Sequence, residues 1–208
     1  GIDGAAFIGA FVEDVNEVKC WIGDNHTDYT TSFRLPYYDT PQIRDIWNAK
    51  KEGVEFFSRI YSLDEKNHWF NYAFEHTDLK TSLPAELKQW ILNQEYLTQT
   101  IALAKHSLIG IHFHHQKILS ETEIDIQKRF SKVFDQAYTR FLDLQKAEAQ
   151  AREAQIEVAV ERVRAKALAM HRSEEILGVA VSVRDAMVAL DLPGVSAATI
   201  YLEQDNGC

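Results

Sequence analysis

Three histidines that lie close together in the chain, His112, His114 and His115, are the residues whose type and spacing most directly suggest chemistry. Successive side chains of a β-strand point to opposite faces, so the run IHFHHQ places His112 and His114 on one face and His115 on the other. Two histidines at i, i+2 can bind a metal ion, but zinc needs three or four ligands, and no HxxxH or HExxH spacing accompanies the pair. We therefore predict no metal site and expect a half-buried strand face with hydrogen-bonded imidazoles.

Other kinds of chemistry have little support in the sequence. It contains no Gly-rich phosphate loop, no GxSxG and no kinase signature, so we do not expect an enzyme. The 22 basic and 31 acidic residues give a net charge of −9, which argues against a nucleic-acid-binding protein because such proteins need a clustered basic face. With only Cys20 and Cys208, the chain cannot build a disulfide scaffold or a cysteine-based zinc site.

The length and the first residues bound the organisation of the chain. A sequence of 208 residues, 46% of them apolar and 25% charged, is typical of a globular protein with one full domain and an additional part. No apolar run approaches the roughly 20 residues that span a membrane. Because the sequence opens on GIDGAAFIGAFVED, without an initiator Met or a basic n-region, we expect it to be part of a longer cytoplasmic polypeptide.

Hydrophobic periodicity predicts an α+β fold for the first part of the chain. Helices are expected in its middle: one from Thr40-Pro41 to Gly53, one capped by Asp64, and one beginning at Leu83-Pro84. About six strands, arranged mainly in antiparallel pairs, are predicted at residues 5–13, 17–23, 31–35, 54–62, 96–104 and 108–115.

A long helix is predicted after these strands. Ser120 and Glu123 form the pattern of a capping box, and neither Gly nor Pro occurs from Glu121 to Glu175, so the helix should run to about Met170. Its apolar residues step by four and three, which is the spacing of a coiled-coil seam, and we expect a homodimer through this helix. A single solvated helix is the alternative. The seam residues are Ile156, Val160, Val163, Ala167 and Met170.

The tail of the chain predicts the start of a second, similar domain. A second helix, SEEILGVAVSVRDAMVAL, begins at Ser173 and ends before Pro193-Gly194. The sequence after it, LPGVSAATIYLEQDNGC, resembles IDGAAFIGAFVEDVNEVKC near the amino terminus. Each has a turn with Gly, a strand of small and apolar residues, an acidic residue, an Asp/Asn turn and a Cys. A period of about one domain length indicates tandem domains.

This order of elements resembles the GAF fold over about residues 5–145, and the segment 120–180, which begins SETEIDIQKRF, is similar to a linker of multi-domain sensors from Bacteroidetes. That linker joins GAF-like domains upstream of histidine kinase modules. The resemblance implies an antiparallel sheet of about six strands with helices on both faces in a sensory domain, residues 1–119. It further implies a signalling helix, 120–172, and the first helix and strand of a following, truncated GAF-like domain, 173–208.

In function, the resemblance implies a sensory or regulatory module of a bacterial two-component signalling protein. Such a module relays the state of a ligand, or of its own packing, through a paired helix to an output domain. In GAF domains the variable middle walls the ligand cavity, and this chain carries many aromatic residues there, with Arg34, Arg59 and His68 as possible polar anchors. The candidate ligand-binding residues are Arg34, Tyr37, Trp47, Phe57, Arg59, Trp69 and Tyr72.

Several alternatives remain open from the sequence. The same aromatic residues could simply form the core and dock the helices. The ligand or cofactor is unknown, because Cys20 does not match the tetrapyrrole-attaching cysteine of phytochrome-type relatives and the Asn-Lys-Phe-Asp-Glu pattern of cyclic-nucleotide-binding GAF domains is absent. The whole chain could also be a structural dimerisation module that binds no small molecule. A metal-dependent enzyme is the least supported class.

Overall fold

The computed structural model describes residues 4–23, 30–192 and 199–200. In these residues, six strands form one sheet in the order β3-β2-β1-β6-β5-β4, and every neighbouring pair is antiparallel. This confirms the predicted α+β class and the antiparallel sheet. The strands are β1 Gly4–Val12, β2 Glu17–Gly23, β3 Thr30–Pro36, β4 Phe56–Tyr61, β5 Leu97–Leu103 and β6 Ser107–Phe113. The helices are α1 Pro41–Glu52, α2 Leu63–His76, α3 Leu79–Ser82, α4 Ala85–Asn93, α5 Glu121–Leu168 and α6 Ile176–Ala189.

Short turns set the register of the sheet. Between β1 and β2 the chain makes a 3₁₀ turn at Glu13–Val15, and Asn16 then adopts a positive φ of 51°. Asn is one of the few residues that tolerate this left-handed conformation, so the chain can reverse here and return as the antiparallel strand β2. The turn between β5 and β6 is closed by a hydrogen bond of 2.8 Å from the Ala104 amide to the Ser107 carbonyl.

The ends of the helices follow local signals, with one correction. α1 begins with Pro41 after Thr40, and it ends at Gly53, whose φ of 69° favours glycine. Asp64 was expected to cap α2, but the cap is Ser62. Its hydroxyl accepts a hydrogen bond from the Glu65 amide at 3.4 Å, and the Glu65 carboxylate accepts one from the Ser62 amide at 3.0 Å. This capping box requires Glu three residues after the cap, which only Ser62 provides.

Strand β5 shows how the two faces of the sheet are covered, because all of its residues are buried. Its odd-numbered residue Gln99 faces the side of α1, α2 and α4, where the hydrophobic core lies. Its even-numbered residue Thr100 faces α5 and bonds to Gln127. The contacts therefore confirm helices on both faces of the sheet.

The chain divides into two compact units, Gly1–Phe141 and Leu142–Cys208, and α5 belongs to both. The predicted capping box of α5 is confirmed. The Ser120 amide donates to the Glu123 carboxylate at 2.7 Å, and the Glu123 amide donates to the Ser120 hydroxyl at 3.3 Å. Residues 141–155 of α5 are all exposed.

The second unit contains a 3₁₀ turn at Ser173–Glu175 and helix α6, close to the predicted helix. The strand expected in the tail falls mostly on residues 193–198 and 201–208, outside the described residues. Among the helices that are described, none is both long enough and apolar enough to cross a membrane.

Candidate functional site

The candidate site is a cavity of about 100 Å³ between the sheet and the helices α1, α2 and α4. Apolar side chains from β1, β2 and β3 form its floor, and the three helices form its roof. Nearly all of its wall is apolar, as in small-molecule binding sites. The lining residues that the argument uses are Phe7, Cys20, Gln42, Trp69, Leu87, Trp90, Gln99, His112 and His114.

A glycine on β6 gives one wall its shape. A Cβ atom at Gly110 would lie 2.1 Å from Cζ of Phe7, so only glycine allows the Phe7 ring to lie against this strand. In this position the Phe7 ring is 4.8 Å from the ring of His112. Trp69 and Phe70 approach the same imidazole edge-on, at 6.1 and 6.2 Å. His112 therefore lies within a cluster of aromatic rings.

Four buried polar atoms in the cavity wall have no hydrogen-bond partner among the described residues: Gln42 Oε1, Trp69 Nε1, Gln99 Oε1 and His114 Nδ1. The orientation of the Gln42 amide is fixed, because its Nε2 donates to the Glu65 carbonyl at 3.1 Å. Each buried polar atom without a partner costs about 1–3 kcal/mol. All four atoms belong to residues that line the cavity, so hydrogen bonds to a bound molecule would offset part of this cost.

Burial keeps the titratable groups of the wall neutral. It lowers the pKa of His112 from 6.5 to about 3 and, with a repulsion from Lys66, that of His114 to about 4. It also raises the pKa of the Cys20 thiol to about 12. A neutral imidazole has one N–H donor and one acceptor nitrogen. At neutral pH the cavity therefore carries no ionised group in its wall.

Lys66 of α2 holds the α4 wall in place. It is fully buried, and its ammonium donates to the carbonyls of Ile91 at 2.6 Å and Leu92 at 3.2 Å, and to the Asn67 side chain. These carbonyls belong to the last turn of α4, where a cation is stabilised by the helix dipole. The Ile91 carbonyl also accepts from the Gln94 amide at 3.3 Å, and the Leu92 carbonyl from the Asn67 side chain at 3.0 Å. Desolvation nevertheless lowers the pKa of Lys66 to about 8.

Of the seven predicted ligand-binding residues, only Trp69 lines the cavity. Trp47 packs edge-on against Phe11 at 5.5 Å and against Tyr37 at 6.4 Å, and Tyr37 is 48% exposed. Tyr72 stacks on Tyr38 with 3.6 Å between the ring centroids. Trp47 therefore packs against the hydrophobic core outside the cavity wall, as the alternative of helix docking described.

The predicted arginine anchors also lie outside the cavity wall. Arg34 is exposed on β3 and is 3.9 Å from Glu17. Arg59 pairs with Asp45 at 2.7 Å and with Glu65 at 2.8 Å, so its guanidinium is already neutralised by two carboxylates. Phe57 packs against the core, and His68 is exposed next to Tyr38. A charged arginine side chain pairs with carboxylates at the surface, where it stays hydrated, and this explains why the two arginines lie outside the apolar wall.

The histidine pattern was a better guide to the site. His112 and His114 line the cavity, and His115 is exposed beside Phe113, as predicted. The strand that was expected to continue to His115 ends at Phe113, so His114 and His115 lie in a bend. The expected hydrogen bond is missing at His114 Nδ1. Gln42 and Gln99 were not predicted, although a glutamine inside the apolar strand LTQTIAL was an available signal. Within the described residues, no group of three or more His, Cys, Asp or Glu could hold a metal ion.

In the second unit, part of the predicted seam faces α6 of the same chain. Val160 and Val163 line an apolar groove with Val183, Met187 and Leu190. Arg152 of α5 donates a hydrogen bond to the Leu190 carbonyl, just after the end of α6. The homodimer through α5, with its seam at Ile156, Val160, Val163, Ala167 and Met170, stays a prediction.

Comparison of the chain with protein-family models, curated proteins and solved structures finds no match. The functional argument therefore depends on the cavity and on the contacts around it.

Proposed function

We propose that this chain is a sensory or regulatory module of a bacterial signal-transduction protein, in which a small molecule bound in the cavity changes the position of helix α5. The observation that carries the proposal is the apolar cavity with four unpartnered polar atoms in its wall. A cavity of this kind is costly to fold unless a ligand offsets the cost, because the buried polar atoms lose their hydrogen bonds to water.

The same two strands contact the cavity on one face and α5 on the other. Gln99 of β5 and His112 of β6 border the cavity. On the opposite face, the Gln127 side chain donates to the carbonyls of Thr100 at 3.1 Å and Ile109 at 3.0 Å, and its Oε1 accepts from the Thr100 hydroxyl at 3.0 Å. Gln127 is therefore bonded to both strands at once.

Two further residues, one and two turns along α5, extend this connection. The Ser131 hydroxyl donates to the Ala102 carbonyl at 3.0 Å. The Asp135 carboxylate accepts hydrogen bonds from the His106 amide and the Ser107 hydroxyl, both at 2.8 Å. Directional bonds fix the register of a helix more closely than apolar contacts do. A shift of β5 and β6 caused by a ligand would thus shift α5.

The relay to an output domain follows from the length of α5. The helix continues without interruption to Leu168, well past the last of these contacts at Asp135. The proposal retains the GAF-like sensory domain at 1–119, the signalling helix at 120–172 and the start of a following domain at 173–208. The order of strands and helices in the first unit supports the GAF-like assignment.

Hydrogen exchange of α5 in variants with a filled cavity tests the proposal without knowledge of the ligand. Leu87→Trp adds a large ring to the cavity wall and takes the place of a ligand. We expect it to slow the exchange of α5 amides between residues 124 and 138 by about threefold or more, because a filled cavity stiffens β5 and β6. Adding Gln127→Leu to Leu87→Trp should remove most of this effect.

The matched control is Leu63→Trp, the same change on the surface of α2, where Leu63 is 41% exposed. It should leave the exchange of α5 unchanged. Equal exchange in Leu87→Trp and in the unmodified chain would contradict the relay and favour the alternative function.

That alternative is a structural dimerisation module without a ligand, and one observation favours it. Large apolar side chains are exposed along α5, among them Phe130 at 64%, Val133 at 63% and Leu144 at 54%. Exposed apolar residues of this size are typical of helix interfaces. A dimer whose α5 exchange is insensitive to filling of the cavity would support this function.

A further inference from the structure

We propose that the cavity binds an uncharged, planar molecule of about the size of a single aromatic ring, bearing both a hydrogen-bond donor and a hydrogen-bond acceptor. This inference rests on the proposed function, in which the cavity holds a ligand, and it adds the chemical class of that ligand. Size, polar groups and charge each restrict the class independently.

The volume of the cavity limits the size of the ligand. The cavity measures about 100 Å³, and an apolar protein cavity of about 150 Å³ holds one benzene molecule. Because the cavity is smaller than the volume that one ring needs, the partly buried side chains of Leu87 and Trp90 must turn outwards when a ring binds, while the α4 backbone stays bonded to Lys66. The rings of Phe7, Trp69, Trp90 and His112 line the space. Edge-on and offset contacts with these rings favour a planar aromatic ligand over an aliphatic one.

The unpartnered atoms determine which polar groups the ligand must carry. Trp69 Nε1 is a donor only, so it requires an acceptor on the ligand. Gln42 Oε1 is an acceptor whose orientation is fixed by the bond from Nε2 to the Glu65 carbonyl, so it requires a donor. The Gln99 amide and the His114 imidazole can each serve in either role. A ligand with one donor and one acceptor would satisfy both of the atoms whose roles are fixed.

The charge of the ligand follows from the charges around the cavity. No ionised side chain of the described residues lines it, and the nearby ammonium of Lys66 is already bonded to three oxygen atoms. His112 and His114 are held neutral by burial. An anion or cation would lose its hydration without gaining an opposite charge, which is far more costly than burying a neutral polar group.

Two pairs of molecules with nearly equal shape test the polar groups and the charge separately. Phenol and toluene differ in a hydroxyl group, and benzamide and benzoate differ in charge. Binding to the complete 208-residue chain is measured at pH 7.5 by NMR titration of the tryptophan indole N–H resonances. We expect phenol to bind about tenfold or more tightly than toluene, and benzamide about a hundredfold or more tightly than benzoate.

The indole resonance of Trp69 supplies a specific signature. Phenol and benzamide should shift it downfield as a new hydrogen bond forms, whereas toluene should not. In Trp69→Phe, which keeps a ring but removes the donor, the affinity for phenol should fall about tenfold while that for toluene changes less than about twofold. Trp47→Phe is the control, because Trp47 lies outside the cavity wall, and it should leave both affinities unchanged.

Three results would overturn the proposed class: benzoate binding as tightly as benzamide, toluene binding as tightly as phenol, or no binding of any of the four compounds. The experiments distinguish a wrong ligand class from a wrong proposed function. If phenol and benzamide bind as expected but α5 exchange does not respond to them, the ligand class stands and the relay fails. If benzoate binds and changes the exchange of α5, the relay stands and the class fails.

Discussion

Acidification from pH 7.5 to 5.0 should destabilise the first unit through the two histidines of the cavity. In the folded chain the pKa values of His112 and His114 are lowered from 6.5 to about 3 and about 4, mainly because burial disfavours the charged imidazolium. The unfolded chain regains the ordinary value. Between pH 6.5 and 4, the unfolded state therefore binds protons that the folded state does not, and the free energy of unfolding falls as the pH falls.

The magnitude follows from this difference in protonation. One pKa unit corresponds to 1.36 kcal/mol, so each imidazole contributes a loss of about 2 kcal/mol between pH 7.5 and 5.0, and the pair contributes about 4 kcal/mol. A cation–π attraction between imidazolium and the rings of Phe7 and Trp69 opposes this loss, but it is worth only about 1–2 kcal/mol. It makes the lowering of the folded pKa values smaller without removing the effect.

Urea unfolding followed by tryptophan fluorescence measures this loss. All tryptophans of the chain, Trp21, Trp47, Trp69 and Trp90, lie in the first unit, so the signal reports on that unit alone. The measurement stops at pH 5.0 because the capping box lowers the pKa of Glu123 from 4.5 to about 2. Below pH 4.5 the stabilising contribution of this carboxylate is progressively lost and would add to the slope.

Replacement of the histidines by phenylalanine tests whether they cause the dependence of the free energy of unfolding on pH. The double variant His112→Phe, His114→Phe keeps rings in both places but cannot titrate, so its loss should be about 4 kcal/mol smaller than that of the unmodified chain. His115→Phe, on the exposed side of the same segment, should retain the full loss. The reasoning is refuted if the double variant loses as much stability as the unmodified chain.

Three further substitutions test other parts of the structure. Gly110→Ala places a Cβ atom against the Phe7 ring and should cost about 1–3 kcal/mol in urea unfolding; a neutral effect would show that the ring can move freely. Lys66→Met removes one donor from each of the Ile91 and Leu92 carbonyls, which keep the Gln94 amide and the Asn67 side chain as donors, and should cost about 1 kcal/mol in urea unfolding; unchanged or higher stability would show that these bonds do not offset the burial of the ammonium. Ile156→Asp, at a seam residue that does not line the α6 groove, should raise the dissociation constant of the expected dimer about a hundredfold in light scattering. Val158→Asp, at a 61% exposed position off the seam, should not, and equal masses for both variants would remove the seam from the dimer interface.

The sequence by itself determined the features that depend on neighbours in the chain. Gly53 ends α1 because a positive φ is cheap only for glycine, and Ser120 begins α5 because Glu123 stands three residues later. His112 faces the cavity because side chains alternate along β6, whereas His114 and His115 lie in a bend after the last strand residue, Phe113. Each of these signals lies within a few residues, so no knowledge of packing was needed.

Tertiary structure alone decided which of the many aromatic and polar residues meet at the cavity. Gln42, Trp69 and Gln99 come from α1, α2 and β5, far apart in the sequence, and only the packing of these elements brings the three residues to one cavity and leaves a polar atom of each without a partner. The same holds for Arg59, which shares a strand face with aromatic residues but is neutralised by Asp45 and Glu65 from two helices. Burial and ion pairing depend on what the rest of the chain brings to a residue, and periodicity along one element carries no information about that.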